Sequence, residues 1–503
     1  MNPSARAGTV ADAVRASAPA MLVALAAGVG AVAGSFAAVG RVPAFVAAPV
    51  ARLVVATTPD VVIRYSILLL GSLGDGIAFA MALAVTALLF AAVVWTVRRA
   101  AAATDGDRLD AAVAGTALSL VAVLVLAVAL AGDAASAVGA TVGAALPLGV
   151  AALAGRSTEP TSAARRTALG SLAAAVGLAL AGGVIGSRRT VPAGGGASTV
   201  PADSAVGRLL ELARDRSLDV AGIEPLVSER FYEVDINQVD PDPDRDEWTL
   251  SVTGAVETPG EYSYDDITSM PVEHRFNTLR CVGESLNGMK MDNALWTGTP
   301  LTRILDDAGL QGDYVMMRAA DGFYEEFSVS ALRNGFLAWG MNGADLPRGH
   351  GAPVRALIPG HWGEINVKWL TEIEILDEEM EGYWEERGWH GTGPVNTVAK
   401  LHAVNRLDDG RIEVGGHAYA GTRGVDRVEV SVDGGDTWTD AELSEPLPGD
   451  DVWRQWVHRY DAPGTDHEVV VRATDGTGTL QPEDERNAFP NGPSGWVSRT
   501  VRA

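Results

Sequence analysis

Residues 278–285 read TLRCVGES, and Cys281 within them is the only cysteine in 503 residues. A lone cysteine often serves as a small buried hydrophobe, and that reading stays open from the residues alone. The neighbourhood points elsewhere. HRFNTLRCV reads as a short strand whose end delivers the thiol into a glycine-containing loop rather than a core. Arg280 stands beside it, and a neighbouring cation favours the thiolate, the form that binds a soft, high-valent metal. One cysteine excludes an intrachain disulfide, and no CxxC zinc pattern or CxxCH haem attachment accompanies it.

Outward from this stretch the chain divides into two chemistries. Up to Arg189 there are 13 arginines, no lysine and eight Asp or Glu, a balance of +5. Residues 190–503 hold 26 basic and 55 acidic residues, a balance of −29, with 11 of the 12 tryptophans and all eight histidines. Only Lys290, Lys368 and Lys400 are lysines. An acidic, lysine-poor surface suits a halophile, or simply ordinary acidic solubility. Neither provides the basic footprint that nucleic acid requires, so that class of partner is excluded.

In the first half, five apolar runs reach the roughly 20 residues needed to cross a bilayer: 18–39, 77–97, 111–131, 134–155 and 167–187. Residues 42–74 carry Arg52, Asp60 and Arg64 among apolar residues and read as interfacial or re-entrant. Basic residues concentrate at 98–110 (Arg98, Arg99, Arg108) and 156–166 (Arg156, Arg165, Arg166). The positive-inside bias then puts the N-terminus in the cytoplasm and the second half outside the cytoplasmic membrane. Arg188 and Arg189, just past the last run, weigh against this. Arg165-Arg166 before a glycine-containing apolar run is also the pattern of a twin-arginine export signal, and plain topology flanking accounts for it equally well. No histidine precedes His274, which rules out a haem held by paired imidazoles in this half. Uncharged span centres argue against an ion pathway, leaving anchor or docking surface as its role.

The second half begins with the Gly/Pro/Ser-rich VPAGGGASTVPADS at 191–204, a linker. EWTLSVTGAV (247–256), APVRALIP (352–359) and VKWLTEIEIL (367–376) read as strands. TPLTRILDDAGL (299–310) reads as a helix with a threonine cap and Gly309 near its end. From about 398 the pattern is all strand and turn, with SVDGGDTW as a hairpin turning at Asp-Gly. About 100 residues of this kind suggest an immunoglobulin-like sandwich.

LRCVGESLNGMKMDNALWTGTPLTRILDDAG, LPRGHGAPVRALIPGHWGEINVKWLTEIEI and GYWEERGW together resemble the sulfite oxidase family of molybdopterin enzymes, from about residue 223 to the C-terminus. The fold this implies is multidomain. An all-α transmembrane bundle of about five helices (1–189) is followed by a linker (190–206) and a mixed α+β molybdopterin domain (207–397). A sandwich resembling the family's dimerisation domain (398–503) completes the chain. The resemblance implies that Cys281 supplies a thiolate to molybdenum in a molybdopterin cofactor, with Arg280 at the catalytic centre. RFYEV implicates Tyr232 and Glu233 in cofactor contact. His350 would meet the pterin, Arg355 its phosphate, and Asn366, Val367 and Lys368 would close over that phosphate through backbone and ammonium donors. Arginine forks and ammonium groups are the donors such a phosphate needs.

The chain also departs from the family. Gly283 and Glu284 stand where a Ser-Asn pair is common after the cysteine. Glu233 stands near the position of an arginine that helps true sulfite oxidases bind their oxyanion, although Arg280 and Arg387 remain as cations. The expected activity is oxygen-atom transfer on an oxyanion, a sulfoxide or an N-oxide. The direction is open, and electrons pass to a separate protein or quinone-linked carrier. A homodimer through the sandwich is one expected assembly. A cofactor-free binding protein on the same scaffold, or a regulated transporter, are the alternatives from other classes.

Overall fold

The computed structural model describes residues 3–70, 72–103, 108–154, 160–189 and 200–502. The chain forms two compact units, Met1–Pro192 with Ile236–Asp242, and Ala193–Asp235 with Pro243–Ala503.

The first unit is helical. Ser17–Val39, Gly76–Ala101, Val113–Ala131, Ala134–Leu153 and Thr167–Ser187 are long and apolar enough to cross a membrane, matching the five runs read from the sequence. Residues 42–74 give two shorter helices, Ala48–Thr57 and Asp60–Leu70, neither long enough to span. The first and fourth long helices pack backbone to backbone. A Cβ on Gly34 would stand 2.1 Å from the Gly139 carbonyl oxygen, and one on Gly143 would stand 2.0 Å from that of Gly30. Small residues permit this approach, the close packing that glycine-rich apolar helices share. At the same crossing the Ser35 and Ser136 hydroxyls, both fully buried, satisfy each other at 2.8 Å. Of the expected basic loops, residues 104–107 and 155–159, Arg156 among them, lie outside the described residues, as do residues 190–199 of the linker. The linker's far end is already helical: Ser204 accepts the Gly207 N–H at 2.9 Å and caps Ala205–Arg216.

In the second unit, one five-stranded sheet runs in the order Gly260–Ser263, Thr249–Gly254, Leu370–Leu376, Tyr314–Ala319, Tyr324–Ser328. Its inner face buries Leu250, Val252, Ile373 and Ile375 against Ile304 and Leu305 of the helix Thr302–Ala308. That helix ends where Gly309 takes φ +65. The expected threonine cap is corrected: Leu301 is the N-cap, because Thr299 and Pro300 end a strand and the Thr299 hydroxyl donates to the Pro271 carbonyl at 3.1 Å. A second sheet pairs Glu273–Arg280 with Met291–Pro300, then Phe336–Met341, which is flanked by Ala344–Asp345 and Arg355–Leu357. Phe276 through Arg280 are all buried along its first strand, whose last ladder pair is Arg280 with Met291, so Cys281 emerges one residue beyond it.

Beyond Val398 the chain is β-rich, in two antiparallel sheets. One centres on Arg411–Tyr419 and Arg454–Asp461, the other on Val425–Ser431 and His467–Asp475. The SVDGGDTW turn closes as read. Asp433 accepts the Ser431 hydroxyl (2.7 Å) and the Thr437 N–H (2.9 Å), while Gly434 and Gly435 take positive φ.

Candidate functional site

Cys281 is half-buried and stands outside the two described apolar clusters that hold its neighbours, those of Leu250 and of Leu279. Its amide donates to the Lys290 carbonyl at 3.0 Å, closing a ten-residue loop between the two strands. Burial pushes the thiol pKa up, against a smaller downward pull from Lys290. The expected thiolate stabiliser, Arg280, does not act that way. Its side chain is fully buried, its Nε donates to Glu284 Oε1 at 2.8 Å and its Nη1 to the Asn396 carbonyl at 2.9 Å, and it stacks 4.8 Å from the Trp362 ring. Its Nη2 is buried with no hydrogen-bond partner among the described residues, and the Arg280 charge acts downward on the Tyr419 phenol and the Lys400 ammonium, whereas the pull on the Cys281 thiol comes from Lys290.

The other residues named from the sequence do come together. Tyr232 is held by its own N–H, which donates to Asp292 Oδ2 at 2.9 Å. Asp292 also accepts the Ser228 hydroxyl at 2.7 Å, and burial pushes its carboxyl up to about 7. Burial pushes the Tyr232 phenol far up, with the Cys281 charge the next cause, which places the two side chains within electrostatic reach. Phe231 stacks on Tyr232 and meets His350 edge to face at 5.4 Å. His350 lies 3.7 Å from Glu233 Oε1. Burial, then Arg355 and Lys368, pull His350 down to about 3, so it is a neutral imidazole at neutral pH.

Arg355 is buried over the Trp296 ring, donating Nη1 to the His350 carbonyl (3.0 Å) and Nη2 to the Asn366 carbonyl (2.9 Å), with Nε 3.5 Å from the Ala356 carbonyl. Five guanidinium N–H groups less these three leave two for a phosphate. Lys368 donates to Asp235 Oδ2 (3.1 Å) and the Gly349 carbonyl (3.0 Å), and lies 4.4 Å from the Trp369 ring centre. Trp369 takes φ +48, a costly conformation for a bulky residue. It is fixed by its indole N–H on the Arg348 carbonyl (2.9 Å). What the resemblance asks of Asn366 and Val367 is backbone donors, and their side chains are engaged elsewhere. The Asn366 amide accepts the Ile358 N–H (2.7 Å) and donates to the Trp362 carbonyl (2.9 Å), and the Val367 side chain packs in the core. They shape the turn that presents Lys368, and their side chains are not available to a ligand. Arg387 lies 3.7 Å over the Tyr383 ring and 3.6 Å from Glu386, so its charge too is answered.

Sequence reasoning missed the carboxyl groups around this site. Glu325, Glu364 and Glu385 sit together. A Cβ on Gly382 would fall 1.6 Å from Glu325 Oε1 and 2.8 Å from Glu385 Oε2. Burial and the neighbouring carboxylates push Glu325 and Glu364 well up, and Glu364 in turn raises the Cys281 thiol. It also missed Asp235, Asp292 and Lys400. The scarcity of lysine that singled out Lys368 applied equally to Lys400.

The arrangement suits a phosphate-bearing group approached by a soft ligand. Backbone comes close where such a group would lie: a Cβ on Gly363 would stand 2.9 Å from Tyr232 Oη, and one on Gly351, at φ +107, 2.9 Å from Lys368 Cα. Two spare Arg355 donors, one spare Lys368 donor, a neutral imidazole and an accessible thiol make a donor set that fits a molybdenum-bearing pterin.

Comparison with known proteins gives the same direction. Residues 236–384 match the oxidoreductase molybdopterin binding domain, and residues 394–489 the Mo-co oxidoreductase dimerisation domain. Sulfite oxidase of Arabidopsis thaliana is 27% identical over 308 residues, covering 48% of this chain and 78% of that protein. Mitochondrial sulfite oxidase of Homo sapiens is 29% identical over 301 residues, 48% of this chain and 55% of its own length. Nitrate reductase [NADH] of Solanum lycopersicum is 26% identical over 309 residues, 47% and 34%. The chain thus spans about half the length of the mammalian relatives it matches. The crystal structure of the sulfane dehydrogenase SoxCD from Paracoccus pantotrophus aligns with a TM-score of 0.48 and 19% identity, covering 61% of this chain and 93% of that one.

Proposed function

The chain belongs to the sulfite oxidase family of molybdopterin-dependent oxidoreductases, and on that premise we propose that it is a membrane-anchored enzyme transferring an oxygen atom to or from a small sulfur or nitrogen compound. The observation that carries this reading is the convergence of Tyr232, Glu233, His350, Arg355 and Lys368 on one site, with Tyr232 Oη and the carbonyl of Arg280, the residue before Cys281, both beside Gly363. When bound, the molybdenum cofactor supplies the two-electron chemistry. Cys281 offers the metal its sulfur, Arg355 and Lys368 hold the phosphate, and His350 stays uncharged beside the pterin.

Two directions share this apparatus, and the charges favour one. The cations expected to receive an oxyanion, Arg280 and Arg387, are both engaged with glutamates, while Glu233 borders the site beside His350. An anion such as sulfite meets the Glu233 carboxylate there, whereas an uncharged sulfoxide or N-oxide meets no such repulsion. Reducing such a substrate to sulfide or amine and water consumes two electrons and two protons. Glu364 and Glu325, whose raised pKa values keep them protonated to higher pH, are suited to hold those protons.

The five apolar helices carry exposed Val125, Leu153 and Leu180, as a lipid-facing surface does. With basic loops inside, the catalytic unit stands on the extracytoplasmic side, where a separate electron carrier reaches it. The immunoglobulin-like pair of sheets is the surface for a homodimer.

The test is molybdenum and pterin content of the purified full chain, with turnover of sulfite, sulfoxides and N-oxides. About one molybdenum per chain with reduction of neutral oxides is expected. Sulfite oxidation alone overturns the direction. A metal-free chain after growth on molybdate overturns the enzyme in favour of a binding protein on the same scaffold.

A further inference from the structure

The carboxylate of Glu284 is almost completely buried, yet it gathers contacts from three parts of the second unit. Arg280 Nε donates to it at 2.8 Å, Lys400 Nζ at 2.7 Å, and the Lys290 N–H at 3.0 Å. Arg280 and Lys400 are both fully buried. Burial pulls the Lys400 ammonium down to about 8, with Glu284 acting against that fall. Lys400 lies in the connection that follows Val398–Ala399, the first strand of the β-rich part, and it also donates to the Gly288 carbonyl at 2.8 Å. One residue along, Leu401 and the Asn287 amide exchange two hydrogen bonds of 2.9 Å each. Arg280 adds its bond to the Asn396 carbonyl. The Lys400 and Asn287 contacts fasten the loop 281–290, which begins with the thiol, to the segment 396–401; Arg280, just before the loop, ties Glu284 to Asn396, and the Lys290 N–H folds the loop back on Glu284.

We propose that Glu284 is a positioning residue for Cys281: with Lys400 it clamps the thiol's loop onto the start of the C-terminal β-rich part, so that part fixes where the sulfur stands. A loop tied only to its own two strands would keep the freedom of its tip. Tied through a buried ion triad and the Asn287 pair, it moves only when several charge-assisted bonds break together. The clamp is independent of what the enzyme's substrate is. It rests on the proposed function only in taking Cys281 as the metal ligand, and the experiment separates the two.

Cys281 is the sole thiol, so maleimide labelling of the full chain reads this one position without background. In cofactor-free full-length protein, from a host unable to make molybdopterin, Glu284→Gln and Lys400→Met should label about tenfold faster than wild type, the factor expected for losing one charge-assisted bond. Lys400→Arg, which keeps the charge, should stay within about threefold. In the loaded enzyme, the sulfur-to-molybdenum absorption band should shift in Glu284→Gln and hold in Lys400→Arg. If the buried substitutions prevent folding, Asn287→Ala, which removes two hydrogen bonds and no charge, carries the test with a smaller acceleration. Unchanged labelling in the folded variants overturns the clamp. Accelerated labelling with a band that even Cys281→Ser leaves in place upholds the clamp and overturns the ligand reading instead.

Discussion

Lys368 Nζ lies 3.1 Å from Asp235 Oδ2, across 133 residues of chain. The ammonium that a cofactor phosphate needs is therefore already opposed by a carboxylate, and the phosphate must compete with Asp235 for it. Lys368→Met should lower molybdenum content by at least about tenfold, since a buried anion loses a charge-assisted partner worth roughly 1.5–3 kcal/mol. Asp235→Asn should leave content equal or higher. Metal analysis of both purified variants checks this, and equal loss in the two would show the pair to be structural support rather than a phosphate grip.

Replacing the thiol isolates the metal ligand from the fold. Cys281 is half-buried, one residue past the last ladder pair of its strand and outside the described clusters of the sheet, so Cys281→Ser removes little packing that the sheet depends on. Turnover should fall by orders of magnitude while thermal unfolding stays within about a degree, the range of a surface substitution. Near-normal turnover would remove the thiolate from the account.

The carboxyl cluster makes a prediction about pH. Glu325 is fully buried, and its folded pKa stands well above the ordinary 4.5. Above that ordinary value the unfolded chain releases the proton while the native state still holds it, so the native state binds more protons. Stability must then fall as pH rises through the window up to the folded pKa. Glu325→Gln keeps a neutral group of the same shape and should flatten that fall, raising the melting temperature by a few degrees at pH 8 and little at pH 5, on the scale of about 1 kcal/mol. A parallel downward slope in the variant would assign the effect to another group.

What the sequence disclosed, and what it withheld, divides along one line. The five apolar runs, the Glu273–Arg280 strand and the Asp-Gly hairpin were legible because each is a local pattern with its own period or turn chemistry. Tyr232, His350, Arg355 and Lys368, which the structure brings near one another, were singled out through motifs, as was Cys281, because short segments carry them. The partners that decide their charge were not. Glu284 and Lys400 are 116 residues apart, and Arg280 was assigned to the thiol because it is adjacent in sequence, although a strand sends neighbouring side chains to opposite faces. The threonine cap failed for the same reason, since the Thr299 hydroxyl was already taken by Pro271, 28 residues away.

Arg165-Arg166 begins a test of how the catalytic unit leaves the cytoplasm. The pair lies in the helix Pro160–Arg189, at the start of the last apolar run. A cofactor assembled in the cytoplasm needs a folded domain to receive it, and twin-arginine export is the route that carries folded domains. A positive-inside flank, by contrast, needs only charge, which lysine supplies as well as arginine. Arg165-Arg166→Lys-Lys leaves the charge intact and removes the guanidinium pair. If export is of the twin-arginine kind, protease added to intact cells should spare the catalytic unit in the variant and digest it in wild type. Equal digestion reduces the pair to topology flanking and requires the cofactor to be inserted outside.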